Sequence, residues 1–363
     1  MKGIILFLFV FFALSAFSQV PKPAFERSIR EFEVFEKMIP ETVISSPVWT
    51  IKDFVFQDEN LLLLTWDKNP KHCVLRRMNS KNEELGFEVI KDEALGFFQD
   101  VFNQVYLETR NDVWYVSSIP GIHLEKVKED LFYNLIRPTV AKSDSIFYSS
   151  TWHPKRPEFQ YLRKQAGVLD TLLSIQNKHL YDLYYSEFRF LPFPTQCSIK
   201  RRCRETGENK YDLAAQVSGF TESLWWHELY SPLIKMKDSI FLADHYRDTL
   251  FVYDELGKKV RTCSIDFHKS KGYDNEVLYD EYTSTWYARN FRNGVTRLVP
   301  LDFFGNVAGE PIVLTYRYVQ KIKLHQGKAY YLYRPFESLQ NTFIYSEVLP
   351  ARMSMAENSN PAK

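Results

Sequence analysis

The chain has 363 residues, 45% of them hydrophobic and 16% aromatic, with 46 Lys plus Arg against 45 Asp plus Glu. Such a chain can bury a large core, which excludes intrinsic disorder, and a formal charge of +1 excludes a dedicated nucleic-acid binder, which needs a strong basic excess. Thirteen Gly and 17 Pro exclude collagen-like and low-complexity classes.

The chain opens Met1-Lys2-Gly3, then runs apolar from Ile4 to Phe17, with small residues at Ala16 and Ser18. One positive charge, a short apolar run and small residues at its end describe a secretory signal peptide over 1–18, with cleavage after Ser18 and a mature start at Gln19. The run spans about 14 residues, short for a ~30 Å hydrocarbon core, so an uncleaved membrane helix is the weaker reading. The first cysteine is Cys73, so no lipid-attachment cysteine follows the run. Farther on, Leu61-Leu62-Leu63-Leu64 stops at Thr65, and the mature chain is expected to be soluble, without a membrane span, and periplasmic or secreted.

The segment Arg27 to Val43 contains Ile29, Phe32, Val34 and Phe35. It reads either as a strand or, over Glu26 to Lys37, as an amphipathic helix, because Ile29, Phe32 and Phe35 also suit a helical period. Beyond it, period-2 alternation of β-branched and aromatic residues dominates. Strands are predicted at Asn60 to Trp66 and Cys73 to Arg77, then at Asp112 to Ser117 and Ile122 to Val127. Later pairs are Thr285 to Ala288 with Thr296 to Phe303, and Lys328 to Tyr333 with Thr342 to Glu347. The clearest stretch is Asp238 to Asp244, then Leu250 to Asp254, Gly257-Lys258, and Val260 to Ile265: three strands joined by two turns. Both faces of those strands are apolar, so their sheet should be covered on both sides.

The units repeat. Asp144-Ser145-Ile146-Phe147 returns letter for letter as Asp238-Ser239-Ile240-Phe241, 94 positions on, and Gly167 and Ile175 stand 90 positions before Gly257 and Ile265. A spacing of 90 to 94 is twice a unit of about 45 residues, the size of a propeller blade. Taking Leu62 and Tyr330 as equivalent ends of six steps gives seven such units. The expected fold is therefore an all-β propeller over 19–350 with seven blades, or six if the weak unit between Tyr181 and Phe220 is not a blade. In that unit Tyr184 and Tyr185 fit the register loosely, Pro192 and Pro194 cannot donate to a central ladder, and Cys197 to Lys210 reads as a loop inserted out of the sheet. The last unit, Val319 to Leu349, shows about three strands, and the Arg27 to Val43 segment could supply a fourth and close the ring, protecting two open sheet edges. The polar tail from 351 to 363 has no period and is expected to be disordered.

The block from Asp238 to Lys258 resembles secreted bacterial β-propeller proteins of the NHL-like, six-bladed type. Their blades read D-x-I-[FY]-[VL]-x-D, a short polar turn, then [IL]-x-V-[FY]-D-x-x-G-K. Asp238, Ile240, Phe241, Leu242, Asp244, Leu250, Val252, Tyr253, Asp254, Gly257 and Lys258 fit that pattern. The resemblance covers about 25 residues well and implies a fold, not an activity. The chain departs from it in its few glycines and in the turn Asp244-His245-Tyr246-Arg247-Asp248, which lacks the usual Asn or Gly.

Four cysteines, Cys73, Cys197, Cys203 and Cys263, allow three pairings in an exported protein, and Cys197 with Cys203 could close a small loop if they are not free thiols. No G-x-S-x-G, H-E-x-x-H, P-loop or G-x-G-x-x-G occurs, and no C-x-x-C or H-x-x-x-H spacing suggests zinc, so no metal and no cofactor is expected. Asp53, Asp100 and Asp280 lie near predicted innermost strands, where a propeller gathers side chains from distant blades, but turn or solvent roles suit them better. The candidate ligand-binding residues are Arg201, Arg202 and Arg204, in the densest basic cluster, and Trp225, Trp226 and His227. The cluster would suit phosphate, an acidic glycan or lipid head groups. If 225–227 is a strand, one Trp is core and the other is free to stack on a sugar or anchor a partner. Trp152-His153-Pro154 and Arg156-Pro157 mark a long turn at a rim. The expected function is that of a monomeric binding or scaffolding module at the cell envelope, with a protein or glycan partner. The alternative is a carbohydrate-active hydrolase or lyase with acid and base drawn from different blades.

Overall fold

A computed structural model of the chain describes residues 40–69, 71–117, 121–153, 156–225, 229–335 and 342–350. The signal-peptide reading, the helical reading of Glu26 to Lys37 and the tail from 351 lie outside the described residues.

Among the described residues, alternating apolar residues build 24 strands, which assort into six four-stranded antiparallel sheets. The first strand, β1 (Glu41–Ile44), stands apart from its neighbours in sequence. Blade 1 is β2 (Thr50–Gln57), β3 (Asn60–Trp66), β4 (Cys73–Met78) and β5 (Glu84–Val89). Blade 2 is β6 (Ala94–Gln99), β7 (Val105–Thr109), β8 (Val113–Ser117) and β9 (His123–Val127). Blade 3 is β10 (Thr139–Ser143), β11 (Ile146–Trp152), β12 (Glu158–Gln165) and β13 (Val168–Gln176). Blade 4 is β14 (Leu233–Met236), β15 (Ser239–Asp244), β16 (Thr249–Asp254) and β17 (Lys259–Ser264). Blade 5 is β18 (Tyr273–Asp280), β19 (Thr285–Arg292), β20 (Val295–Leu301) and β21 (Ile312–Arg317). Blade 6 has β22 (Gln320–His325), β23 (Lys328–Tyr333) and β24 (Phe343–Val348), with β1 hydrogen-bonded to β24 as its fourth strand.

The arrangement is a β-propeller. First strands touch the first strands of neighbouring blades, as β2 does β6 and β22, so they surround the axis. Fourth strands such as β5 and β17 are largely exposed at the rim. Apolar faces of adjacent blades press together in shared clusters. Val55, Leu64 and Leu107 join blades 1 and 2; Tyr161, Ile240 and Leu242 join blades 3 and 4; Phe54, Leu63 and Ile344 join blades 6 and 1. β15 is buried on both faces, as its sequence required.

The ring has six blades, not seven. The unit at Tyr181 to Phe220 is four helices: α1 (Lys178–Phe190), α2 (Phe193–Thr206), α3 (Lys210–Ser218) and α4 (Phe220–Trp225). The 94-residue repeat thus joins neighbouring blades, β11 to β15, across this insertion, and Leu62 to Tyr330 spans five blade steps. Local codes explain the helices. Asn177 and Asn209 cap α1 and α3, their side chains accepting from the amides of Leu180 and Tyr211. Pro194 sits in the first turn of α2, where no amide is needed, and Gly207 and Gly219 end α2 and α3 in left-handed conformation. The prolines that argued against a central strand therefore begin a helix. Cys197 and Cys203, six positions apart on α2, stand about 9 Å apart along its axis, beyond disulfide reach, and none of the four cysteines is in a disulfide.

The insertion docks on the turn between β11 and β12. Arg156 Nε and Nη2 donate to the two oxygens of Asp212 at 3.1 Å each, and Tyr184 donates to the same carboxylate at 2.5 Å. Glu158 accepts from Tyr181 at 2.7 Å and from Gln160 at 2.6 Å. The long turn expected at a rim is thus partly covered by helices.

The blade motif proves to be turn chemistry. Asp244 accepts from the amides of Tyr246 and Arg247, and Asp254 from those of Leu256 and Lys258. Gly257 has φ 74°, and a Cβ there would lie 2.8 Å from Arg163 of blade 3. No helix among the described residues is long and apolar enough to cross a membrane.

Ring closure rests on β1, the end of the segment expected to supply the missing strand. Removing residues up to 47 bares the edge of β24. The expected result is a lower melting temperature and aggregates in size-exclusion chromatography. A monomer melting as the parent does would show that β1 does not close the ring.

Candidate functional site

The axis is open at the end where first strands turn into second strands. Two lobes, of about 780 and 520 Å³, share Gln99, Asn103, Tyr279 and Glu281 and so form one channel. Every blade contributes: Phe56 from blade 1, Gln99 from 2, Lys142 from 3, Lys235 from 4, Tyr279 from 5 and Lys323 from 6.

The backbone of this mouth is strained. All six first hairpin turns hold a non-glycine residue at positive φ: Asp58 (54°), Asn103 (60°), Asp144 (42°), Lys237 (50°), Ser284 (50°) and Gln326 (50°). Five of them, all except Asp144, line the channel. A left-handed L-residue costs roughly 1–2 kcal/mol, and such strain gathers at binding sites held by a rigid scaffold. Bulges accompany it: the pairings of β2, β6, β10, β18 and β22 with their second strands all shift register. A bulge re-aims side chains, here around the axis.

Three bulges meet at Asp53, which is 1% exposed. Its carboxylate pairs with the Lys321 ammonium of blade 6 and accepts from the amides of Phe97 in blade 2 (2.8 Å) and Phe54 (2.7 Å). A Cβ on Gly96 would lie 2.8 Å from Asp53 Oδ2, so only glycine admits the carboxylate. Asp53 is a clamp across blades 6, 1 and 2, not a free acid. Asp100 and Asp280 line the channel, but both accept from turn groups, Asp100 from the amides of Phe102 and Gln104, Asp280 from the Tyr282 amide and the Thr283 hydroxyl. Both carboxylates hold turns.

Lys323 differs. It lines the channel, and its ammonium makes no hydrogen bond or ion pair among the described residues. Burial pushes its ammonium below the usual lysine range, the Asp53 charge opposes that shift, and Lys321 adds to it. His325, stacked on Phe56 at 4.2 Å, is lowered by burial, against the pull of Asp280 and Glu281. Tyr279 is raised, chiefly by burial, and keeps its proton. The mouth therefore presents a cation, a carboxylate on Glu281, a phenol, a neutral imidazole and two amides. Among the described residues no three His, Cys, Asp or Glu side chains gather as metal ligands.

The arginines singled out from sequence lie on the helical insertion and not in the channel. Arg201, Arg202 and Arg204 are exposed on α2, with Arg202 paired to Glu208 at 3.0 Å. Trp225 ends helix α4 and is not in a strand, and Trp226 and His227 lie outside the described residues. Lys323, Glu281 and Lys235 were passed over because strand alternation does not say which strand is innermost, and the bulges break that alternation. The one available signal was their place at or just before a first hairpin turn.

Two further features lie outside the channel. A groove of about 940 Å³ between blades 2 and 3 is walled by Phe102, Tyr133, Leu135, Phe147 and Leu169. At the join of blades 4 and 5, His245 stacks on His268 at 4.8 Å and meets the edges of Phe267 and Tyr273, while His268 reaches Asp248 at 3.0 Å. Burial, with His268 adding to it, pushes His245 down to about 3.

No family model matches the chain, and no curated protein matches it. Solved structures of similar shape include a luciferin-regenerating enzyme (8% identity, 86% of this chain and 95% of that one, TM-score 0.41). Another is the calcium-binding protein regucalcin from Agrobacterium tumefaciens (8%, 86% and 95%, 0.40). A third is a gluconolactonase from Xanthomonas campestris (9%, 86% and 90%, 0.41).

Replacing Asp53 by Ala leaves Lys321 without its buried partner and two amides without acceptors. The expected loss in urea unfolding is about 3 kcal/mol. A second expectation concerns pH. His245 stays neutral in the fold down to about 3, whereas unfolded histidine binds a proton near 6.5. Stability should therefore be intact above pH 6.5 and fall as pH drops below it, by up to about 1.4 kcal/mol per unit for one proton. His245→Phe keeps an aromatic ring in place and should flatten that slope.

Proposed function

We propose that the chain is an exported NHL-like propeller that binds an anionic, hydroxyl-rich ligand, of the acidic-glycan class, in the mouth of its axial channel. The observation that carries this reading is Lys323, a channel-lining ammonium with no partner among the described residues. A carboxylate supplies what it lacks, and the ammonium is buried, where charge pairing is stronger than in water. Around it, Gln99, Asn103 and Glu281 offer donors and acceptors for hydroxyls, and Tyr279 and Phe56 offer apolar rings for sugar faces. The leader-like first 18 residues support an envelope location, and the blade motif supports the NHL-like affiliation.

A second reading is catalytic, a hydrolase or lyase acting on a carbohydrate. Glu281 and His325 come from different blades and line the same lobe, so two side chains of the kind used in proton transfer are both at hand. The enzyme names of the solved propellers of similar shape belong to those proteins and assign no residue here.

Calorimetry with oligogalacturonate, and with a neutral oligosaccharide of equal length, tests the first reading. Binding of the acidic probe alone is expected, weakened by salt and reduced by tenfold or more, about 1.4 kcal/mol, in Lys323→Met. Absence of binding by the parent protein overturns the proposal. Mass spectrometry of the same mixtures decides between readings: cleavage products that vanish in Glu281→Gln would make the site catalytic.

A further inference from the structure

The helical insertion carries a surface that the channel leaves unused. Between Glu187 and Glu205 the chain has no carboxylate and five cations: Arg189, Lys200, Arg201, Arg202 and Arg204. On α2, Ile199 is buried against Leu213 and Ala214. At about 100° per residue, Phe193, Cys197, Lys200, Arg201 and Arg204 share the opposite side, and all are exposed. Leu191 turns inward to the Ile199 cluster, which leaves Phe190 and Phe193 on either side of it in water, 81% and 75% exposed. Pro192 and Pro194 fix the backbone of that turn, so the rings are held out by the chain itself.

We propose that this face docks the protein onto an anionic phospholipid surface. Phe190 and Phe193 enter the boundary between head groups and acyl chains, and Lys200, Arg201 and Arg204 lie against the phosphates. Aromatic side chains beside a cation row are the pattern that interfacial helices use. Two rings make too little area for a stable protein interface, which buries about 1,600 Å². A nucleic-acid duplex would engage the cations and leave the rings in water. Arg202 is held aside by Glu208 and takes no part.

The test uses the chain purified from an exporting host and sedimentable vesicles, either phosphatidylglycerol with phosphatidylethanolamine or pure phosphatidylcholine. Binding to the anionic vesicles is expected, at least about tenfold tighter than to the neutral ones and weakened by salt. Phe190→Ser with Phe193→Ser, and separately Arg201→Gln with Arg204→Gln, should each lose about tenfold with an unchanged melting temperature. A second readout does not depend on those variants. An environment-sensitive dye on exposed Cys197, with Cys203 and Cys263 replaced by Ser, should shift to the blue on anionic vesicles only. Equal sedimentation of parent and both double variants, an unshifted dye, or capture by a DNA duplex without vesicle binding would overturn the proposal.

Discussion

A ring of sheets must be fastened where its two ends meet, and there the partners lie about as far apart in sequence as the chain allows. Five blades are each built from consecutive strands, but the sixth takes its outer strand from Glu41–Ile44, pairing Glu41 with Ser346 and Thr42 with Tyr345. Closing so long a loop costs entropy that no local contact returns. The seam compensates with several bonds: the Ile51 amide to the Thr342 carbonyl, the Thr342 amide to Thr50 Oγ1 at 2.7 Å, and Lys328 to Glu41. Asp53 fastens the same seam at the inner radius. The channel has walls only when both fastenings hold.

The inner strands are where local preference yields to the ring. Bulges break the alternation of β2, β6, β10, β18 and β22, and the first hairpin turns hold non-glycine residues in left-handed conformation. Second strands such as β15 and β23 follow their apolar pattern closely. The scarcity of glycine, odd for this architecture when read from sequence, has a direct cause: Asp, Asn, Lys, Ser and Gln do the turning. Gly96 marks the opposite need, a place where a carboxylate occupies the volume of a Cβ.

The helical insertion has its own economy. Its buried side is tied to blade 3 by two carboxylates, Glu158 and Asp212, each satisfied by several donors. Its outer side is left basic and aromatic. The strongest basic cluster in the sequence therefore stands on a different element from the axial channel, and the two surfaces can act independently.

The strands and their turns were legible from sequence, because alternation and Asp or Gly at turns are local codes that reach only a few residues. Asn60–Trp66 and Lys328–Tyr333 form the strands their residues predict. The insertion was legible in principle, since Asn177, Pro194, Gly207 and Gly219 are ordinary helix caps, but a 94-residue repeat that fits two blade lengths concealed it. Blade number, the clamp at Asp53 and the grouping of Lys323 with Glu281 and Tyr279 were decided only by the tertiary structure. They depend on six strands from distant parts of the chain meeting around one axis, and a pattern read along the chain carries no information about which strands meet there.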